Sequence, residues 1–302
     1  MNFVKIGKFV TAGPAADSAQ AASNDNIPLH MRRRCGFCGT PLRRSLADLD
    51  GFPSAITPPP SLPLCETETP DLDRAFICET CFLVQVDRRA RSDRPDACAE
   101  AGTLPDHAGL FADRMCEQME LDRHCQIVEL GGGDGVLVPA FGEKGIPVLA
   151  LDVRNPVPAI GRPFGIQTAR KYLADGIEAD LLYARNVLSC ISDLHDFIAG
   201  VDILLKPDGV AAIEVPHLLR QIESGNFRQI CDRHDFCFSL HTLRHLFNAH
   251  GMTVYDLEEL SVRGGTIRLF VRHHEDETKP VSDKVRVLHE NELTRRFACL
   301  SA

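Results

Sequence analysis

At 302 residues, 44% of them hydrophobic and 25% charged, the chain is long enough for one large or two modest domains and can bury a substantial core. Lys and Arg total 33 against 42 Asp and Glu, and the resulting formal charge of -9 is the wrong sign for a protein that coats nucleic-acid phosphates. Lys5 and Lys8 interrupt the early apolar stretch, and no run approaches the roughly 18 apolar residues that span a bilayer, so a cytoplasmic chain with reduced cysteines is expected.

In chain order, residues 1–33 read as a disordered tail, because 13–30 are small, polar and aperiodic. Residues 34–86 carry two Cys pairs around a Pro-rich centre with little helical periodicity, which marks a small module held by something other than a core. A polar connector, 87–109, leads into 110–275, where helix and strand signals alternate. Amphipathic spacing predicts a helix over 110–121. Strands are expected at 127–130, 147–153, 180–186 and 210–216, and helices at 136–141, 194–205 and 240–250. Such alternation implies a parallel sheet covered on both faces. Residues 253–260 and 266–272 flank Arg263-Gly264-Gly265 with no room for a helix, so they should pair as an antiparallel hairpin at the sheet edge. The end of the chain, 276–302, reads as helical over 285–297.

The sharpest motif is Ile127-Val-Glu-Leu-Gly-Gly-Gly-Asp-Gly135, a strand that runs through a glycine-rich turn into a helix. Glycines let the backbone approach a ligand, and the helix start offers free N–H groups. The dinucleotide pattern Gly-x-Gly-x-x-Gly fails, since counting from Gly131 and Gly133 puts Val136 at the sixth position. Glu129, just before the turn, suits a cationic or hydroxyl-bearing ligand better than a pyrophosphate. S-adenosylmethionine (SAM) has a sulfonium, an ammonium and no phosphate. Asp152 ends the next strand, where its carboxylate can accept from both ribose hydroxyls. Glu129, Gly131, Gly133, Asp134, Asp152 and Asn186 are the candidate cofactor-binding residues.

Cys35-Gly-Phe-Cys38 and Cys78-Glu-Thr-Cys81 form two Cys-x-x-Cys knuckles, enough thiolates for a tetrahedral structural Zn2+ in a module with little core. Redox pairing is the competing use of such knuckles. The other cysteines show no ligand spacing and read as buried fillers. Glu214 and His217 fall at the carboxyl end of a strand, the edge of an open α/β sheet where ligands bind, and His234 lies in a polar loop beyond it. A histidine near neutral pKa can take a proton at physiological pH, although on local sequence a surface or capping role is an equal alternative for His234 and the stronger one for His217.

Together these motifs resemble the sugar C-methyltransferases that act on nucleotide-linked 4-keto-deoxysugars. The resemblance covers residues 35–290 and rests on the two Cys knuckles with Phe82-Leu-Val-Gln85, the loop Val128–Leu137, Arg185-Asn-Val-Leu188, Leu204-Leu-Lys-Pro-Asp-Gly-Val210, Glu214-x-Pro-His-Leu218, Phe238-Ser-Leu240 and Gly264-Gly-Thr-Ile-Arg268, in the family's order. It implies a Rossmann-like SAM methyltransferase sheet, an α/β fold with a terminal antiparallel hairpin, preceded by a small zinc-binding module. It further implies that a base forms an enolate whose carbon takes the methyl group. His234 matches the last histidine of the family's Tyr-His-Glu-His segment and is the candidate base, with Glu214 and His217 as neighbours. The chain departs from the family at Cys231, Asp232 and Arg233, where Tyr, His and Glu are usual, and at Cys190, which replaces a histidine. It also stops at Ala302, where family members continue into a further α/β domain.

The expected function is therefore SAM-dependent methylation of a small molecule, with a nucleotide-sugar as the expected acceptor. One alternative is a SAM-binding partner protein without catalysis. Another is an RNA methyltransferase gripping its substrate through Arg32-Arg33-Arg34, Arg43-Arg44 and Arg88-Arg89, which the overall charge and the lack of stacking aromatics disfavour.

Overall fold

The computed structural model describes residues 33–45, 75–86, 105–131, 135–153, 163–224, 235–262 and 264–300. The expected disordered tail, the Pro-rich centre, His234 and Cys231 lie outside the described residues.

The larger sheet is built from β4 (Ile127–Gly131), β5 (Val148–Asp152), β6 (Ala179–Arg185), β7 (Leu205–Pro216), β9 (Met252–Leu260) and β10 (Thr266–His273), in the order β5-β4-β6-β7-β10-β9. β5, β4, β6 and β7 are mutually parallel, and β10 pairs antiparallel with both β7 and β9. The parallel half follows from its crossovers. α2 (Leu137–Gly142) joins β4 to β5, α3 (Ile166–Ala174) joins β5 to β6, and α4 (Leu194–Leu204) joins β6 to β7. Only five residues, 261–265, separate β9 from β10, with Gly264 and Gly265 both at positive φ; they leave no room for a crossover, so that pair closes as the expected hairpin.

Strand residues alternate between two apolar layers because side chains point to opposite faces with period two. Val128, Leu130, Leu182, Ala184, Ala211 and Ile213 join one core, which includes the inward faces of α4 and of α6 (Leu240–Asn248). Ile127, Leu181, Tyr183, Val210, Ala212 and Phe270 join the other, with Phe111 and Met115 of α1 (Pro105–Met119) and Leu137 and Phe141 of α2. In α4 the buried positions Leu194, Phe197, Ile198, Val201 and Leu204 recur at helical spacing, and Asp193 caps its start by accepting from Asp196 N at 3.0 Å.

The smaller sheet has the order β1-β2-β3-β8, with β1 (Arg44–Ser45), β2 (Ala75–Ile77) and β3 (Val84–Val86) from the cysteine-rich segment. Its fourth strand, β8 (Phe236–Cys237), arrives from after α5 (Leu218–Glu223), so the segment read as a zinc-binding module at 34–86 completes its sheet with a strand from much later in the chain. Phe238, the next residue, bridges to His217 at the end of β7.

Several local expectations shift. α1 begins at Pro105, inside the stretch read as connector, because proline is well suited to the first turn of a helix. β7 starts at Leu205 rather than 210, and α3 was not expected. The C-terminal helix, α7, runs Asp283–Leu300. Cys190 is disulfide-bonded, against the expectation of reduced thiols. No helix among the described residues is long and apolar enough to cross a membrane.

Candidate active site

The carboxyl ends of β4, β5, β6 and β7 form one edge, and most of the sequence-derived candidates gather there. Gly131 ends β4 directly opposite Asp152, the last residue of β5. Gly133 and Asp134 lie outside the described residues. Gly135 has φ of 57°, the left-handed region in which a side chain is strained, and a Cβ there would meet Val138 Cγ2 at 2.9 Å. Glu129, almost fully buried, folds its carboxylate around the loop: Oε1 accepts from Val136 N at 3.0 Å and Oε2 from Leu137 N at 2.9 Å. The side chain that the sequence assigns to a ligand thus also caps the start of α2, whose free N–H groups need an acceptor. Asn186 follows β6 with φ of 55° and donates its backbone N–H to Glu214 O at 2.8 Å, which ties the ends of β6 and β7 together.

This edge fits SAM by its donor set: a glycine-rich sequence that follows β4, an acidic side chain within β4 (Glu129) and another at the end of β5 (Asp152), and no lysine or arginine from Gly131 to Gly135 to favour a phosphate ligand.

Glu214 and His217 are both occupied within the protein. Glu214 Oε1 accepts from Arg268 Nε at 2.7 Å, from Arg268 Nη2 at 2.5 Å and from Tyr183 Oη at 3.0 Å. Arg268 also reaches Glu258 Oε2 at 3.1 Å, Glu258 pairs with Arg114, and the Arg268 guanidinium lies 4.4 Å from the Phe111 ring centroid. Two arginines thus balance two glutamates in a chain that runs from the buried Glu214 and Arg268 of β7 and β10 to the half-buried Glu258 and Arg114 of β9 and α1. Burial and the Glu214 carboxylate push the Tyr183 phenol well above its ordinary pKa, so it remains a donor. His217, fully buried, sets Nε2 at 2.7 Å from Glu292 Oε1 on α7, and Glu292 accepts in addition from Leu240 N at 2.7 Å and His241 N at 2.8 Å. Burial raises the Glu292 carboxyl, but the hydrogen bonds from His217, His241 and Leu240 outweigh it and hold the group below the usual range. Tyr183 and Glu292 were not singled out in the sequence. A polar residue within an apolar strand was a signal for Tyr183, whereas nothing local distinguishes Glu292 among the charges of α7.

In the smaller sheet the four knuckle cysteines converge, with all four sulfurs within 4.8 Å of one another. Cys35 Sγ is 3.4 Å from Cys81 Sγ, and Cys38 Sγ is 3.4 Å from Cys78 Sγ. Four thiolates around one zinc, at Zn–S of about 2.3 Å, stand roughly 3.8 Å apart, so the cluster is near the size of a tetrahedral site. None of the four is in a disulfide. The Cys81 contact and the backbone N–H groups of Cys38 and Phe37 hold the Cys35 thiol below its usual range, and the same contact, with burial, pushes Cys81 up.

Residues 95–257 match the family model described as "Methyltransferase domain", more than half of the chain, and they span the glycine loop and all the parallel strands. The chain therefore belongs to this family, the class I, SAM-dependent methyltransferases. Over 208 residues, 64% of this chain, it is 28% identical to C-methyltransferase NovU of Streptomyces niveus, of which the match covers 50%. The chain thus spans about half the length of this curated relative. Among solved structures, it is similar to an S-adenosylmethionine-dependent methyltransferase from Clostridium acetobutylicum (TM-score 0.40, 11% identity, 57% of this chain and 93% of that one). It is also similar to an O-methyltransferase family protein from Burkholderia thailandensis (TM-score 0.37, 15% identity, 57% of this chain and 59% of that one).

Proposed function

We propose that the protein methylates carbon in a small keto-bearing acceptor, a nucleotide-linked keto-deoxysugar or a close relative, with SAM as methyl donor. The observation that carries this reading is the glycine turn and Asp152 at the carboxyl edge of a methyltransferase sheet, in a chain whose relative is named a C-methyltransferase. Gly131, Gly133 and Gly135 would admit the donor's methionine part. Glu129 and Asp134 would serve its cationic end, Asp152 the ribose, and Asn186 the neighbouring wall. SAM bound there supplies the methyl group that the acceptor's nucleophilic carbon takes up.

In this reading His234 removes the proton next to the acceptor's ketone. Glu214 and His217, already held by Arg268 and Glu292, act by positioning the ends of β7 and α6 around the acceptor rather than by moving protons. Cys35, Cys38, Cys78 and Cys81 hold a structural zinc that cross-links the two knuckles of the small sheet.

Calorimetry with S-adenosylhomocysteine and the intact chain tests the donor site, and absence of binding would sink the reading. The base is tested in D2O with a nucleotide-linked 4-keto-deoxysugar: wild type should exchange the proton next to the ketone, and His234→Ala should lose at least about a hundredfold in that rate. The internal engagement of Glu214 and His217 also favours a second reading, a SAM-binding partner protein without turnover. S-adenosylhomocysteine binding with no exchange on any such acceptor would select it.

A further inference from the structure

A cleft of about 290 Å³ opens between α6, α7 and the edge strand β9, and Arg244, His245, Asn248 and His289 line its polar side. Met252 and Val254 are among its apolar residues, and no carboxylate lines it. Its place is defined by the strand directions. β9 runs parallel to β7, since both are antiparallel to β10, and Met252 at its start pairs with His273 at the end of β10. The cleft therefore lies toward the amino edge of the sheet, opposite the edge that holds the glycine turn and Asp152.

Its one arginine has no carboxylate partner among the described residues. Arg244 donates from Nη1 to His289 Nδ1 at 2.8 Å and makes no ion pair among the described residues. The acceptor is a neutral imidazole, because a ring that accepts at Nδ1 carries its proton on Nε2, which lies 3.0 Å from His241 Nδ1. His245, next to Arg244 on α6, is exposed and packs its ring against His241 with centroids 4.4 Å apart. A guanidinium bonded to an imidazole, with a second imidazole beside it and no acid among the residues that line the cleft, has donors to spare.

We propose that this cleft is a second binding site, for a small phosphate-bearing anion. The forked donors of Arg244 match the several acceptor oxygens of a phosphate, and His245 adds a donor from the neighbouring position. The volume sits at the low end of small-molecule sites, roughly 300 Å³, and no aromatic residue other than the histidines lines it to stack a base. Inorganic phosphate, diphosphate or a short phosphate ester fits this description better than a nucleotide.

The test uses the full chain, with inorganic pyrophosphate, inorganic phosphate and succinate as separate arms. Binding is measured by calorimetry and by the imidazole NMR signals of His245 and His289. Pyrophosphate should bind and move both signals, and Arg244→Gln should weaken it at least about tenfold while S-adenosylhomocysteine affinity stays as in wild type. Retained S-adenosylhomocysteine binding shows that the variant is folded and that the two sites are separate. Three outcomes overturn the proposal: no response to pyrophosphate at about 10 mM, an equal response in Arg244→Gln, or succinate binding as tightly as pyrophosphate.

Discussion

A single side chain, Glu292, joins three elements. Its carboxylate takes Nε2 of His217 at the end of β7 and the first two N–H groups of α6, and its own helix, α7, is thereby fixed to both. Glu292 and His217 are both almost entirely out of water, so removing the carboxylate strands an imidazole and two helix-end donors at once. Glu292→Ala should cost about 3 kcal/mol in urea unfolding. The pH dependence follows from the direction of its shift. A carboxyl held below its ordinary value of 4.5 contributes stability above that pH and loses it as pH falls through the folded value. The gap between wild type and Glu292→Ala should therefore be widest near neutrality and narrow below about pH 4.5.

At the scale of elements, caps do what the apolar pattern alone cannot. α6 starts where it does because Ser239 accepts from Thr242 N at 3.2 Å, just before the buried run Leu240, Leu243, Leu246 and Phe247. Ser239→Ala should lower stability by about 1 kcal/mol, as read by thermal unfolding, and leave S-adenosylhomocysteine affinity unchanged. The same local chemistry explains what was legible in the sequence. β4, β6 and β7 are apolar on both faces, and the Gly264-Gly265 turn is too short for a crossover, so parallel core and terminal hairpin could both be read from residue order. The knuckles could be read from spacing, and their sulfurs do meet. α3 could not, because its fully buried residues are only Thr168 and Ala169, with Tyr172 partly buried, and neither of the first two is a large apolar residue that announces a helix. Nor could β8, since two residues carry no periodicity and its partner, β3, lies some 150 positions earlier. The roles of Glu214 and His217 were beyond local reading for the same reason. Their partners, Arg268 and Glu292, come from strands and helices that follow much later in the chain.

At the scale of the whole molecule, the cysteine-rich segment and the methyltransferase sheet are not separable. Cys35, Leu42, Phe76 and Leu83 belong to the same apolar cluster as Phe236, Phe238, Leu240 and Phe247. β8 completes the small sheet, Thr242 Oγ1 of α6 donates to Cys81 O at 3.0 Å, and His195 Nε2 of α4 lies 2.6 Å from Phe37 O within the first knuckle. A metal drawn from the four cysteines would therefore loosen contacts that α4, α6 and β8 also use, and the loss should reach the entire fold. Chelation of the proposed zinc is expected to lower the melting temperature of one cooperative calorimetric transition by at least about 5 °C, with no earlier transition splitting from it. Cys78→Ser should reproduce that shift in protein purified without chelator and should abolish stoichiometric zinc by mass spectrometry. A chelated protein that shows a small early transition and an unmoved main one would mean that the small sheet folds by itself. The shared core then contributes nothing to holding the two together, and the metal serves the cysteine-rich segment alone.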